Sequence, residues 1–187
     1  MSGAGKSTVS EVFHTRGFTV IDCDRLAREV AEDRRFLNEL QSRFSEKVLN
    51  SDGSLDRAAT AKVIFGDEGK RRLYNQTIFP YIVYAIIREI KSASGDVLLD
   101  APTLFDAGLE IICTATVGVT ASPEICVQRI VRRDKITPEQ AQRRLSAQKS
   151  AEFFKTRCDY ILENNGAIGD FTERAKGITD KLKGRIL

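Results

Sequence analysis

Apolar and polar residues fall along the chain in blocks that predict short strands separated by helices. Four apolar or β-branched runs, at 18–21, 96–100, 115–120 and 159–162, are typical of buried strands. Helical spacing of apolar residues fills the intervals, beginning with a helix at 7–16. Strands that alternate with helices in this way indicate an α/β protein with a parallel sheet.

One long interval breaks this alternation. From 25 to 94 the apolar positions keep helical spacing, and no strand run interrupts them. A turn at 50–54 divides the interval; we expect a helix to open at 55–57 and Pro80 to start or kink another. We interpret 25–94 as a helical insertion, binding an acceptor, within a single domain that spans 1–187.

The segment Ser2–Thr8 carries the clearest chemical signal. Its Gly5, Lys6 and Ser7 match the second half of a phosphate-binding loop that runs directly into a helix. In such loops, backbone N–H groups and the helix N-terminus surround a polyphosphate. The lysine reaches the β and γ oxygens and the hydroxyl holds Mg²⁺, so these residues predict a nucleotide site.

The complete pattern requires more sequence before this loop. It includes a hydrophobic strand and a glycine five residues before Gly5. We therefore expect the natural protein to begin about ten residues upstream of Met1. Without that strand, the strands at 96–100 and 115–120 would lack a common neighbour, and their ladder groups would be unpaired.

Three aspartates follow predicted strands, where open α/β sheets bind ligands. Asp22 and Asp24 come after the strand at 18–21, and we expect one to cap the next helix and the other to be available for chemistry. Asp100 ends the strand at 96–100 as a Walker B aspartate does, and in that role it holds Mg²⁺ or its waters. A short apolar run that ends in aspartate is also common by chance.

A basic region lies at 129–152. Arg133 belongs to one predicted helix, and Arg144 and Gln148 belong to a second that follows a break at 134–138. By composition this region is typical of a solvated charged hairpin. Beside a phosphate-binding loop it instead predicts a lid whose arginines neutralise the transferred phosphoryl group.

Composition excludes several function classes. The 29 basic and 26 acidic residues give a net charge of +3, too small and too dispersed to predict binding to nucleic acid or a membrane. No membrane-spanning run or secretory signal is present in the sequence, so we expect a cytoplasmic protein. The four cysteines form no Cys-x-x-Cys pair, and we expect them to be small buried residues. The lone histidine, His14, is expected to be structural.

In their order, these motifs resemble those of the dephospho-CoA kinases, P-loop enzymes that phosphorylate the ribose 3′-hydroxyl in the last step of coenzyme A synthesis. The matching segments run through nearly the whole chain: Gly5–Thr8, Val20–Arg28, Asp52–Arg57, Leu73–Asn75, Pro102–Phe105, Arg129–Asp134, Arg144–Gln148 and Asp159–Gly166. Their joint order is far more specific than any one of them. The resemblance implies a P-loop kinase-like parallel sheet flanked by helices, with ATP, Mg²⁺ and dephospho-CoA as ligands; it leaves the oligomeric state open.

The resemblance also implies a role for each matched residue. Asp24 would accept the proton of the ribose hydroxyl as it attacks the γ-phosphorus, and Lys6 and Arg133 would act on the transferred group. The nucleotide set would be Gly3, Ala4, Gly5, Lys6, Ser7, Thr8, Arg144, Asn164, Asn165 and Gly166; the acceptor set Asp22, Arg28, Arg57, Pro102 and Leu104; and the metal set Ser7 and Asp100. The run at 164–166 would lie near adenine, although Asn-Asn-Gly is also an ordinary turn.

The chain departs from the family pattern at several positions. Phe79 stands where the family usually has histidine, and Cys126 where glutamine is common. Two other functions therefore stay open alongside the kinase. One is a nucleotide-binding protein that has lost turnover, and the other is a kinase for another small hydroxyl acceptor, such as a nucleoside or a sugar acid.

Overall fold

The computed structural model describes residues 1–184, which fall into two compact units. Unit 1 consists of Met1–Val20 and the chain from Ser94 onward, and unit 2 consists of Ile21–Ala93. No helix in this described part of the chain is both long enough and apolar enough to cross a bilayer.

Helices and strands alternate in unit 1, whereas unit 2 is helical after β1. The elements in chain order are α1 (Lys6–Thr15), β1 (Thr19–Asp22), α2 (Cys23–Val30), α3 (Arg34–Arg43), α4 (Arg57–Gly66), α5 (Glu68–Ser92), β2 (Val97–Asp100), a 3-10 turn (Leu109–Ile112), β3 (Val117–Thr120), α6 (Pro123–Asp134), α7 (Pro138–Ser146), α8 (Ala151–Arg157), β4 (Tyr160–Glu163) and α9 (Ile168–Leu182). The last helix was predicted at 170–185, and residue 185 lies outside the described residues.

The strands form two separate two-stranded sheets. β1 neighbours β2, and the Thr19 N–H donates to the Asp96 carbonyl at 2.9 Å. β3 and β4 are parallel, with Val117 opposite Tyr160. The predicted α/β class with parallel strands flanked by helices is confirmed. Within residues 1–184, β2 and β3 belong to different sheets.

The core of unit 1 fixes the start of α1. Phe13 on α1 and Phe171 on α9 are almost completely buried, and Leu162 of β4 is 2% exposed. The Phe13 ring meets that of Phe18 edge-on, with centroids 4.9 Å apart. Burying a phenylalanine or leucine side chain contributes roughly 1.5–3 kcal/mol, so these contacts hold α1 firmly against β4 and α9.

Unit 2 is built around α5, a continuous helix that packs against α2, α3 and α4. Pro80 lies inside this helix, so of the two predicted alternatives, a helix start or a kink, the start is excluded. An interior proline costs about 3 kcal/mol. Burial of Ile78, Ile82 and Ile86 at roughly 1.5–3 kcal/mol each outweighs that cost.

Other boundaries also differ from the sequence predictions. The second basic helix ends at Ser146, so Gln148 lies beyond it, because Ser150 caps a further helix, α8, that the sequence pattern did not separate. Of the four cysteines, Cys23 and Cys126 are buried as predicted, while the other two are half-buried. His14 is exposed on α1, in keeping with a structural or surface role.

Candidate active site

The loop before α1 has the backbone of a phosphate-binding turn. Gly5 is the N-cap of α1 with φ 104°, and Gly3 has φ 75°; both lie in the left-handed region that favours glycine. A Cβ on Gly5 would overlap Asn164 Nδ2, and one on Gly3 would lie 2.7 Å from the Cys126 carbonyl oxygen. No side chain of residues 1–184 caps this helix, and the Thr8 N–H donates to the Gly5 carbonyl at 3.1 Å. A helix N-terminus without a side-chain cap attracts anions.

Two side chains from other elements hold the back of this loop. Asn164, at the end of β4, donates from Nδ2 to the Ala4 carbonyl at 2.8 Å. Arg129 of α6 donates from Nη1 to the Gly3 carbonyl at 3.2 Å and from Nη2 to Asn164 Oδ1 at 3.3 Å. The loop carbonyls are therefore fixed by bonds to the rest of unit 1.

The loop lysine lies beside the predicted Walker B aspartate. Lys6 Nζ forms an ion pair with Asp100 Oδ1, and Ser10 Oγ donates to Asp100 Oδ2 at 2.7 Å. The Asp100 side chain is 15% exposed, whereas that of Lys6 is 39% exposed. Ser7 and its hydroxyl lie on the exposed side of α1. The structure thus brings two of the predicted site residues, Lys6 and Asp100, into direct contact.

The predicted lid arginines share one carboxylate. Arg133 donates from Nε and Nη2 to Asp134 at 2.7 and 3.0 Å, and Arg144 on α7 pairs with the same carboxylate. The Arg133 guanidinium, and after it Arg144, holds the pKa of the Asp134 carboxyl below its usual value. Gln148 accepts from the Ser2 N–H at 2.8 Å and donates to the Arg144 carbonyl at 3.2 Å. The α6–α7 hairpin is therefore connected to the loop.

The other predicted site residues of unit 1 lie in separate segments of that unit. Asn165 accepts from the Ser122 N–H at 2.8 Å, and Gly166 is exposed. Pro102 and Leu104 lie in the turns that follow β2, where Pro102 is exposed and Leu104 is half-buried.

The two carboxylates that follow β1 have separate positions in unit 2. Asp22 caps α2 by accepting from the Arg25 N–H at 2.9 Å, as predicted for one of the pair, and its other oxygen lies 3.8 Å from Arg28. Asp24 is exposed in the first turn of α2 and forms no hydrogen bond or ion pair with the described residues. Its carboxylate is thus available to accept a proton.

Two cavities lie in unit 2. One of about 410 Å³ is lined by Arg57, whose guanidinium is 3.5 Å from Glu32. The other, of about 500 Å³, is lined by α2 residues Leu26 and Val30. Residues two positions apart on an α-helix point to opposite faces, so this second cavity lies on the face of α2 opposite Asp24. It is not next to the candidate base.

Comparison with known proteins identifies the family. A family model for dephospho-CoA kinase matches residues 2–170. This chain belongs to the dephospho-CoA kinase family. A dephospho-CoA kinase from Moorella thermoacetica is 38% identical over 171 residues, which cover 88% of this chain and 81% of that protein.

Further proteins are similar to this dephospho-CoA kinase family member over a comparable share of its length. The dephospho-CoA kinase of Shewanella oneidensis is 34% identical over 168 residues, covering 89% of this chain and 82% of its own. A crystal structure from Thermus thermophilus superposes with a TM-score of 0.82 at 30% identity and covers 98% of this chain and 94% of that one.

The sequence motifs of this dephospho-CoA kinase family member did not indicate the contacts behind the loop. Arg129 was recognised as part of the basic region and of the family-like segment Arg129–Asp134, without a contact to the loop, and Asn164 was assigned to adenine. Ser10 carried no signal, although it lies one helical turn after Lys6 and therefore on the same face of α1. Arg129 lies 126 positions from its partner Gly3, and Asn164 lies 160 positions from its partner Ala4. No local sequence pattern encodes contacts between residues so far apart.

Proposed function

We propose that this chain transfers the γ-phosphoryl group of ATP to the ribose 3′-hydroxyl of dephospho-CoA, which gives coenzyme A and ADP. The observation that carries this proposal is the open N-terminus of α1, preceded by two left-handed glycines and followed at once by Lys6. Such a helix end attracts a polyphosphate through the positive end of the helix dipole and its backbone N–H groups. Membership of the dephospho-CoA kinase family supplies the acceptor.

In the proposed reaction, unit 1 binds the phosphates of ATP. The N–H groups of Gly5–Ser7 at the start of α1 face the β and γ oxygens, and Lys6 adds a positive charge there. Lys6 already has Asp100 as a partner, so the nucleotide competes for a lysine that the carboxylate has positioned.

Asp24 is the proposed general base. It accepts the proton of the ribose 3′-hydroxyl as that oxygen attacks the γ-phosphorus, and the bond from this phosphorus to the β–γ bridging oxygen breaks as ADP leaves. This role is supported by the exposure of Asp24 and by the absence of a hydrogen-bond or ion-pair partner for its carboxylate among residues 1–184. Asp22 cannot serve equally well, because the Arg25 N–H and Arg28 occupy its oxygens.

Arg133 and Arg144 are proposed to neutralise charge on the transferred phosphoryl group. Both now share Asp134, which keeps two cations close together on the α6–α7 hairpin. Phosphate oxygens can replace this carboxylate, because guanidinium groups bind both kinds of anion in the same forked geometry. The hairpin would thereby close over ATP and exclude water.

Mg²⁺ fits the donor set that the loop offers. The Ser7 hydroxyl and the Asp100 carboxylate are hard oxygen donors, which this ion prefers. No group of three or more His, Cys, Asp or Glu side chains that could hold a metal occurs among the described residues. That accords with an ion bound through one carboxylate together with substrate phosphates, whose charge it neutralises when present.

The acceptor is proposed to bind through Arg28 and Arg57 in unit 2, and the acceptor contacts expected of Pro102 and Leu104 stay predictions. The two arginines are exposed cations suited to acceptor phosphates. We also propose that the protein acts in the cytoplasm and without a nucleic-acid or membrane partner, in line with its net charge of only +3.

The proposal is tested by analysing the product. Incubation with ATP and dephospho-CoA should give an acceptor that has gained one phosphoryl group, placed on the ribose 3′-oxygen by phosphorus NMR. Nucleosides and sugar acids, tested in parallel, should give no product. Phosphorylation of one of these instead would identify a kinase for another acceptor, and ATP binding without any product would identify a binding protein; either result would overturn the proposal.

A further inference from the structure

We propose that Arg129 and Asn164 act together as positioning residues that set the direction of the loop N–H groups toward the nucleotide phosphates. This inference rests on the proposed nucleotide site and goes beyond it, because neither residue needs to touch ATP. It also gives Asn164 a role different from the adenine contact that the family resemblance implies.

The peptide plane transmits this positioning. In a trans peptide the carbonyl and the following N–H point in nearly opposite directions. The bond from Asn164 Nδ2 to the Ala4 carbonyl at 2.8 Å therefore also directs the Gly5 N–H away from Asn164. That N–H belongs to the N-cap of α1, at the positive end of the helix dipole.

Asn164 is placed rigidly enough for this task. It is 3% exposed, and its backbone N–H donates to the Thr120 carbonyl at 2.8 Å, which joins it to the end of β3. Its amide oxygen accepts from Arg129, so both ends of the amide are bonded and its orientation is set. With so little exposed surface, the side chain offers little area to an adenine ring.

The loop is shaped to fit this amide. Gly5 packs so closely on Asn164 that a Cβ there would overlap Nδ2. A glycine at this position is needed both for φ of 104° and for the close approach of the amide. The loop and Asn164 therefore form one packed arrangement.

Arg129 supports the arrangement through two donors. Its guanidinium reaches the Gly3 carbonyl at 3.2 Å and Asn164 Oδ1 at 3.3 Å. A planar fork can hold two acceptors at fixed angles, whereas a lysine ammonium is a single point charge. Arg129 also lies one helical turn before Arg133, so the helix that carries a lid arginine also carries the loop support.

The test measures ADP binding by calorimetry in the full chain. Arg129→Gln should weaken ADP binding by about tenfold to a hundredfold, because the Gly3 carbonyl and the Asn164 amide oxygen both lose the guanidinium donor that holds them. Arg129→Lys should behave like Arg129→Gln, since charge alone does not restore the fork. Gln128→Ala, an exposed neighbour on α6, is the matched control and should bind ADP as the wild type does.

A double-mutant cycle tests the joint action. Asn164→Asp removes the donor to the Ala4 carbonyl but keeps an acceptor for Arg129. If the two residues form one support, Arg129→Gln combined with Asn164→Asp should bind ADP no more weakly than the worse single variant, within about threefold. Fully additive losses would overturn the proposal, as would wild-type affinity in Arg129→Gln or full rescue by Arg129→Lys.

Kinetics and stability distinguish a positioning role from a general loss of fold. The variants should raise KM for ATP and lower kcat, with KM for dephospho-CoA unchanged, whereas loss of fold would reduce ADP and acceptor binding alike. If Arg129→Gln does not fold, the ADP affinity of Arg129→Lys decides: weakened binding supports the proposal, and wild-type binding overturns it. A wild-type protein that binds ADP but yields no coenzyme A would refute the kinase and leave this inference intact.

Discussion

At the scale of single residues, the site depends on a backbone conformation more than on side-chain chemistry. Gly3 and Gly5 adopt left-handed φ values that leave the first turn of α1 open, and Lys6 is the first residue of that helix. The glycine pattern predicted a loop that runs directly into a helix, as the structure shows, and its binding of phosphate stays a prediction. It could not predict Asn164 behind it, because the contact depends on how β4 ends and packs against the loop.

A substitution at Gly5 tests how strictly this conformation is required. Gly5→Ala should destabilise the protein by at least about 1–2 kcal/mol, since it combines left-handed strain with overlap on Asn164. Gly177→Ala is the matched control, because Gly177 lies in α9 with open space around it, and it should stabilise by about 0.5–1 kcal/mol. Urea unfolding of both variants gives the comparison; equal stabilities would contradict the strained, closely packed loop.

At the scale of elements, the α6–α7 hairpin connects the lid residues to the loop. Asp134 pairs with an arginine from each helix, and Thr137 caps α7 through a reciprocal capping box with Gln140. The sequence predicted both helices and the break between them; in the structure they begin after the caps Ser122 and Thr137, each of which precedes a proline. It missed α8 and the continuity of α5, whose limits depend on tertiary packing.

The pairing of Asp134 predicts its titration. Because Arg133 and Arg144 lower its folded pKa, its contribution to stability is present above the unfolded pKa and is lost as pH falls through the lower folded pKa. The carboxyl should therefore titrate below the usual aspartate pKa of about 3.9, as followed by NMR of its side-chain carbon. Arg133→Gln should move the midpoint upward. An unchanged midpoint would mean that Arg133 does not hold the carboxylate in solution.

At the scale of the whole molecule, the order of motifs was sufficient to identify the family. Individually, a loop, an aspartate after a strand and a basic hairpin are each common, but together they match over residues 2–170. The sequence could not reveal how the strands divide into two sheets, since pairing depends on neighbours far along the chain. The residues alone also could not separate Asp22 from Asp24; the family resemblance gave them different roles, and the cap on α2 distinguishes them in the structure.

We propose that the chain is a kinase whose base is Asp24. The most direct test of this proposal measures ADP release in a coupled assay. The assay is run with and without dephospho-CoA, for the wild type and for Asp24→Asn. We predict that release by the wild type depends on the acceptor and that Asp24→Asn lowers turnover by at least about a hundredfold while ADP binding is kept. No acceptor-dependent release by the wild type would contradict the kinase, and an unchanged rate in Asp24→Asn would contradict its role as the base.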